Sequence, residues 1–298
     1  MDEYSLGLYE KALPDGLPLE EKLTAASRCG FDRLELSIDE SDARLARLRW
    51  SQSDFRALRS AMDRAGVPIL TLCLSGHRRF PLGSPDPATR MHALELLEGS
   101  LALCAQLGIR LIQLAGYDVY YQPSTPDTRR LFEENLARCV ERAAARGVNL
   151  GFETMETPFM DTVEKAMAYV KRVNSPYLGI YPDIGNLKNA ALLYGRNVTQ
   201  DLEVGRGHCF AAHLKETSPG VYRNLRLGAP EGHTEYAGCL RELWGQGVRM
   251  YTAEFWYDGG RDYEQEVQRA AGFLRKRISQ AAREASADAG AVSGRGAS

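Results

Sequence analysis

Paired cysteines are missing from this 298-residue chain. Its six cysteines, Cys29, Cys73, Cys104, Cys139, Cys209 and Cys239, stand singly, with no CxxC pair. That excludes a small disulfide-stapled module and leaves the six as reduced, small core residues. A dominant charge is also missing. The 37 basic and 39 acidic residues leave a net charge of -2, so no global field draws in nucleic acid or an anionic membrane. No apolar run approaches the ~20 residues needed to cross a bilayer. The segment Met1 to Leu8 carries acidic residues where a signal peptide has basic and then apolar ones. No GxGxxG follows the first strand-like run, which removes the dinucleotide-binding fingerprint. These absences predict a soluble, cytoplasmic protein with no nucleic-acid and no membrane partner.

What is present is a repeated joint. Short β-rich runs recur at residues 4–10, 33–38, 69–74, 111–118, 149–155, 178–184, 210–216 and 250–256, each followed by a helix-like pattern. Gly30, Gly66, Gly108 and Gly147 stand where four helices stop and the chain turns into the next strand. Eight strand–helix units without an interrupting linker predict an α/β fold, a single-domain (β/α)8 TIM barrel over residues 1–278. The sixth helix is expected to be short, around residues 198–206. The Ala-, Ser- and Gly-rich stretch 279–298 is expected to be a disordered, frayed tail.

In such a barrel the chemistry sits at the C-terminal ends of the strands. Glu153, Asp183, His213 and Glu254 each lie at or near the end of a strand-like run, at intervals of thirty, thirty and forty-one residues. A strand, its crossover helix and the next parallel strand occupy roughly thirty residues or more, so this spacing delivers four side chains to one end of the sheet. Packing three carboxylates together is costly unless a cation neutralises them. The oxygen-rich set suits one divalent ion of the Mn, Mg, Co or Zn kind. On a ketose, such an ion acts as a Lewis acid for an enediolate, and the two glutamates can serve as base and acid. Removing a proton on one face and returning it on the other is epimerisation; moving it between adjacent carbons is aldose–ketose isomerisation. Spacing does not separate the two. After the third strand, His77, Arg78 and Arg79 offer an imidazole and two guanidiniums for a phosphate. Lys215 points to the same side of its strand as His213 and is a second anion candidate. Tyr117, Tyr120 and Tyr121 are candidates for walling a sugar.

At these residues the chain resembles the L-ribulose-5-phosphate 3-epimerases, also described as L-xylulose-5-phosphate 3-epimerases, among the xylose-isomerase-like barrels. The resemblance runs from about Tyr4 to Ile278. It rests on Gly7-Leu-Tyr-Glu-Lys-Ala-Leu-Pro14, Cys73-Leu-Ser-Gly-His-Arg-Arg-Phe-Pro-Leu-Gly-Ser84, Ile112-Gln-Leu-Ala-Gly-Tyr-Asp-Val-Tyr-Tyr-Gln122 and Tyr181-Pro-Asp-Ile-Gly-Asn186. It implies one divalent metal ion on Glu153, Asp183, His213 and Glu254, with Glu153 and Glu254 exchanging the proton at C3 of a pentulose 5-phosphate. It also implies a homodimer. His77, Arg78, Arg79, Asn186 and Lys215 become the candidates for holding the sugar phosphate. Epimerases of free ketoses usually carry a histidine three residues after the metal aspartate and an arginine six after the metal histidine. Here those places hold Asn186 and Pro219, which favours a phosphorylated substrate. Residues 227–236 expand a loop that is tighter in the family. A free-ketose epimerase or isomerase on the same barrel is the nearest alternative, and a non-catalytic sugar-phosphate binder a remoter one. An endonuclease of abasic DNA would need more metal ligands and a basic face than five histidines and a charge of -2 supply.

Overall fold

The computed structural model describes residues 4–293, with side chains to residue 285. Eight parallel strands form the expected barrel: β1 (Ser5–Tyr9), β2 (Arg33–Ile38), β3 (Ile69–Leu74), β4 (Leu111–Ala115), β5 (Asn149–Glu153), β6 (Leu178–Tyr181), β7 (Ala212–Leu214) and β8 (Met250–Ala253). The sheet runs β6-β5-β4-β3-β2-β1-β8-β7. Two parallel bridges, Ile180 to Cys209 and Asp183 to His213, join β6 to β7 and close the ring. One of the two closing bridges therefore joins the same two residues, Asp183 and His213, that the spacing marks as functional.

Around the barrel lie α1 (Leu19–Arg28), α2 (Asp42–Leu45), α3 (Gln52–Ala65), α4 (Pro87–Leu107), α5 (Pro126–Ala144), α6 (Val163–Val173), α7 (Ile184–Tyr194), α8 (Val198–Val204), α9 (Tyr236–Gly245) and α10 (Tyr263–Ser293). Local chemistry sets their ends. Ser51 and Asp54 form a capping box at the start of α3, and Gly66, at φ 65°, ends it in the left-handed conformation that a Cβ would disfavour. Side chains alternate along each strand. Leu34, Leu36 and Ile38 of β2 face the helices and join one continuous apolar layer. Burying each such side chain stabilises the fold by about 1.5–3 kcal/mol. The inward-facing residues are polar instead: Arg33, Glu35, Thr71, Gln113, Tyr181, His213 and Thr252 are all 0% exposed. The barrel's centre is thus lined with hydrogen-bonding and charged groups.

One expectation is met in part and one needs correction. The short helix expected around residues 198–206 is α8, Val198–Val204, but a further helix that was not anticipated, α7, precedes it in the sixth connection. α7 begins directly after Asp183 and stops at Gly195 (φ 62°), and α8 follows at Val198. The tail expected from residue 279 is helical to Ser293, as part of α10. Alanine is the best helix former, so an Ala-rich composition extends the helix, and Ala281 is fully buried within it. Residues 294–298 lie outside the described residues. Among the described residues no helix is long and apolar enough to cross a membrane.

Candidate metal centre

Glu153 is the last residue of β5, His213 lies in the middle of β7, and Glu254 directly follows β8, its N–H donating to Leu214 O at 3.1 Å. Asp183 caps α7, with its Oδ1 accepting the Asn186 N–H at 2.8 Å. Its other oxygen, Oδ2, lies beside the Lys215 ammonium. One ligand-type atom from each of the four residues lies within 4.8 Å of the others, and all four residues are buried. His213 Nδ1 is 2.9 Å from Glu153 Oε1 and 3.5 Å from Glu254 Oε2. The Lys215 ammonium lies 2.8 Å from Asp183 Oδ2 and 3.2 Å from Glu254 Oε2, beside the Trp256 ring.

The groups perturb one another strongly. Burial, and after it the neighbouring Glu254 carboxylate, raises the Glu153 pKa. Asp183 is pushed well above the carboxylate range by burial, with Glu254 and Glu153 adding to the rise and Lys215 opposing it. Burial acts on Glu254 too, but Lys215 and His213 outweigh it and hold that group well below its ordinary value. Burial would lower His213, yet Glu35, Glu254 and Glu153 hold its imidazole well above its ordinary value. Two buried oxygens, Asp183 Oδ2 and Glu254 Oε2, have no hydrogen-bond partner among the described residues; both face the Lys215 ammonium as ion pairs, and Glu254 Oε2 also faces His213 Nδ1. Three carboxylates, one imidazole and two buried oxygens without hydrogen bonds fit a divalent cation, and no thiolate is present to favour a softer metal.

Two further buried side chains hold these groups. Gln113 donates to Glu153 Oε2 at 2.5 Å. Glu35, from β2, accepts from His213 Nε2 at 2.6 Å. Sequence reasoning missed both. The signal for Glu35 was available, because Arg33 and Glu35 are charged residues spaced by two in the otherwise apolar run Arg-Leu-Glu-Leu-Ser-Ile.

Above the centre opens a small cleft lined by Lys11, Arg78, Arg223, Tyr222 and Trp256 among others. The three adjacent anion candidates part company here. Ser75–Arg78 is a 3-10 turn, in which residues three apart share a face. Ser75 and Arg78 both line the cleft, whereas His77 and Arg79 do not. The buried His77 ring lies 3.1 Å from Ala93 O of α4, and burial pushes its pKa down to about 4. It is a neutral packing residue. Arg79 pairs with Asp42 at 2.7 Å and lines a separate surface cavity with Phe80 and His92. Arg78 donates to the Tyr117 hydroxyl at 3.3 Å and lies over the Tyr117 and Tyr120 rings. Both tyrosine hydroxyls donate to Glu156, at 2.6 and 3.2 Å. Tyr121 turns outward to Glu40 and walls nothing.

Asn186 reaches the cleft, with its Nδ2 donating to Thr154 O and its buried Oδ1 unpaired. Lys215 is in the cleft as well, but its ammonium is engaged by the two carboxylates. Lys11, Glu156 and Arg223 were not anticipated from sequence. Lys11 lies in a 3-10 turn, Glu10–Ala12, directly after β1, and Glu156 and Arg223 lie on loops after β5 and β7, where no strand periodicity marks direction. Pro219 stands in an exposed turn closed by Ser218 and Val221.

A family model described as xylose isomerase-like TIM barrel matches residues 23–277. The chain is 42% identical over 277 residues to an L-ribulose-5-phosphate 3-epimerase UlaE of Escherichia coli (strain SMS-3-5 / SECEC), covering 93% of this chain and 95% of the relative. Among solved structures, an L-ribulose 3-epimerase superposes with a TM-score of 0.76 at 18% identity, covering 95% of this chain and 97% of that one. A D-psicose 3-epimerase with D-tagatose from Clostridium cellulolyticum H10 superposes with a TM-score of 0.75 at 17% identity, covering 92% and 99%. At these identities the two structures speak to the fold.

Proposed function

Because this chain belongs to the xylose isomerase-like TIM barrels, and within them to the L-ribulose-5-phosphate 3-epimerase family, we propose that it interconverts L-ribulose 5-phosphate and L-xylulose 5-phosphate by epimerisation at C3. The observation that carries this reading is the buried set Glu153, Asp183, His213 and Glu254 at the floor of a cleft that bears Arg78 and Lys11. Those four residues would hold one divalent ion, of the Mn, Mg, Co or Zn kind. When bound, it supplies Lewis-acid stabilisation to the charge that develops on the sugar oxygens.

The chain's own residues do the rest. C3 of the ketose is adjacent to the C2 carbonyl, so loss of its proton leaves a C2–C3 enediolate. One of Glu153 and Glu254 takes that proton as a carboxylate on one face, and the other, as a carboxylic acid, returns a proton to C3 on the opposite face. Their environments push their proton affinities in opposite directions, as suits an acid–base pair. Lys215 holds Asp183 and Glu254 in place. Arg78 is the donor best placed to take the 5-phosphate, with Tyr117 and Tyr120 bracing its guanidinium, while Lys11 lines the same cleft paired with Asp39 at 2.5 Å. Trp256 and Tyr222 wall the sugar and help to exclude water.

Proton NMR in D2O tests this reading. L-Xylulose 5-phosphate, enzyme and Mg²⁺ or Zn²⁺ should give deuterium at C3 together with the ribulose epimer. Chelator should stop the reaction, and free L-xylulose should exchange far more slowly. Glu153→Gln and Glu254→Gln should each stay folded by circular dichroism and lose roughly 10²–10⁴-fold in turnover. Full turnover in either variant refutes the two-carboxylate scheme, and exchange at C1 with aldose formation would make the enzyme an isomerase.

A further inference from the structure

Beneath the four ligand-type residues lies a column of buried polar groups that the reaction scheme does not use. Arg33 and Glu35 are two residues apart on β2, so both side chains enter the barrel, and neither is exposed. Glu35 Oε1 accepts from His213 Nε2 at 2.6 Å, and its Oε2 accepts from the Tyr181 hydroxyl at 2.8 Å. One layer lower, the Arg33 guanidinium donates to the Thr71 hydroxyl, the Tyr251 carbonyl and the Thr252 hydroxyl, each at 2.9 Å. Gly7 is opposite Arg33 in β1. A Cβ there would fall 2.5 Å from Arg33 Nη1 and 2.6 Å from its Cζ, so the strand is hollowed at one residue to admit the guanidinium.

Charge buried this deeply is no bargain for stability, since apolar residues of similar volume usually do as well or better. Its geometry points to another role. A neutral imidazole carries its hydrogen on one nitrogen and a lone pair on the other. With Nε2–H given to Glu35, the lone pair is on Nδ1, the nitrogen that lies between Glu153 and Glu254. We propose that Glu35 is a positioning residue: it fixes the His213 ring so that Nδ1 is offered to the cation, and Arg33, seated in the space left by Gly7, is the counter-charge beneath it. This inference rests on the reading that His213 is a metal ligand. A carboxylate on the second nitrogen orients a ligating histidine and makes it more basic, and its loss typically costs about 10–100-fold in metal affinity or activity.

The test compares metal-free wild type, Glu35→Gln and Tyr181→Phe in a Co²⁺ titration followed by visible absorption. Circular dichroism of the same samples reports the fold. Glu35→Gln should bind Co²⁺ roughly 10–100-fold more weakly, with displaced ligand-field bands. Tyr181→Phe, which loosens Glu35 while every charge stays, should weaken binding by a smaller factor in the same direction. Wild-type affinity and wild-type bands in folded Glu35→Gln would overturn the positioning role. Should Glu35→Gln fail to fold, unchanged binding by Tyr181→Phe would overturn it instead. Failure of the wild type to take up Co²⁺ would overturn the metal-ligand reading itself, a result distinct from either of these.

Discussion

Arg78 and Arg79 are neighbours in sequence, yet their substitution should have opposite consequences. Replacing Arg78 by Met keeps a comparable stem against the Tyr117 and Tyr120 rings and removes the guanidinium that faces the cleft. A hydrogen bond to a charged group contributes about 1.5–3 kcal/mol, so kcat/KM on the 5-phosphate should fall roughly 10- to 150-fold. Glu156 should keep its place, because the Tyr117 and Tyr120 hydroxyls still donate to it and Arg223 stands 3.6 Å away. Catalysis on the free ketose has no phosphate to lose and should change little, so the ratio of the two specificity constants reads the phosphate contact directly. Arg79→Met deletes an exposed pair with Asp42, which contributes about 1 kcal/mol or less to stability. Its kcat/KM on the 5-phosphate should stay within about threefold of wild type. Steady-state kinetics of both variants on both sugars decide the matter. Equal losses for Arg78→Met on phosphorylated and free sugar, or a larger loss for Arg79→Met, would refute the assignment of phosphate binding to Arg78.

Two buried bases away from the cleft should shape stability in different pH windows. His77 titrates at about 4 in the fold against about 6.5 when unfolded. Between those values only the unfolded chain binds the proton, so stability is full above pH 6.5 and falls by about 3 kcal/mol as pH drops to 4. Urea unfolding of wild type and His77→Gln at pH 7 and 4.5 should show that component in wild type alone, while KM for the sugar phosphate is the same in both; parallel pH curves would refute it. Lys22 is 1% exposed, and its ammonium donates to the Glu10 carbonyl at 3.3 Å. Burial lowers its pKa to about 8, against about 10.4 unfolded. From pH 8 to 10.4 the unfolded chain holds the proton that the folded chain sheds, so stability rises with pH there, and below pH 8 the cost of the buried charge is present in full. Lys22→Met should therefore gain about 1–3 kcal/mol at pH 7 and little at pH 10.5; a variant no more stable than wild type at pH 7 would count against this.

The barrel was legible because each strand repeats the same physical requirement. A short apolar run must be followed by a helix and a stop, and β2 and β3 fall on the expected residues 33–38 and 69–74. The four ligand-type residues were legible because strand spacing is a long-range ruler. The anion loop was not. Its composition suggested three phosphate donors, but a 3-10 turn sends Ser75 and Arg78 one way and His77 and Arg79 elsewhere. Composition also misled at residue 279, where alanine-rich sequence continues a helix. Glu35 escaped notice for a different reason. Attention to strand ends passes over the middle of a strand, where β2 carries a charge that reaches His213 across the barrel.

That mid-strand charge bears on why the centre is arranged as it is. Glu35, Glu153, Asp183 and Glu254 bring four carboxylates into one buried region, against the Lys215 ammonium and the Arg33 guanidinium. With the imidazole neutral, the column is two charges short of balance, which is the charge of one divalent ion. In the bare chain part of that deficit falls on His213, whose imidazole is held well above its ordinary value by the surrounding carboxylates. A proton on Nδ1 and a cation on Nδ1 are alternative answers to the same excess of negative charge. Replacing the column with apolar side chains would remove the need for either, and with it the pair of glutamates on which the proposed reaction rests. The polar interior thus costs stability throughout the barrel's centre and leaves a site that a divalent cation would complete.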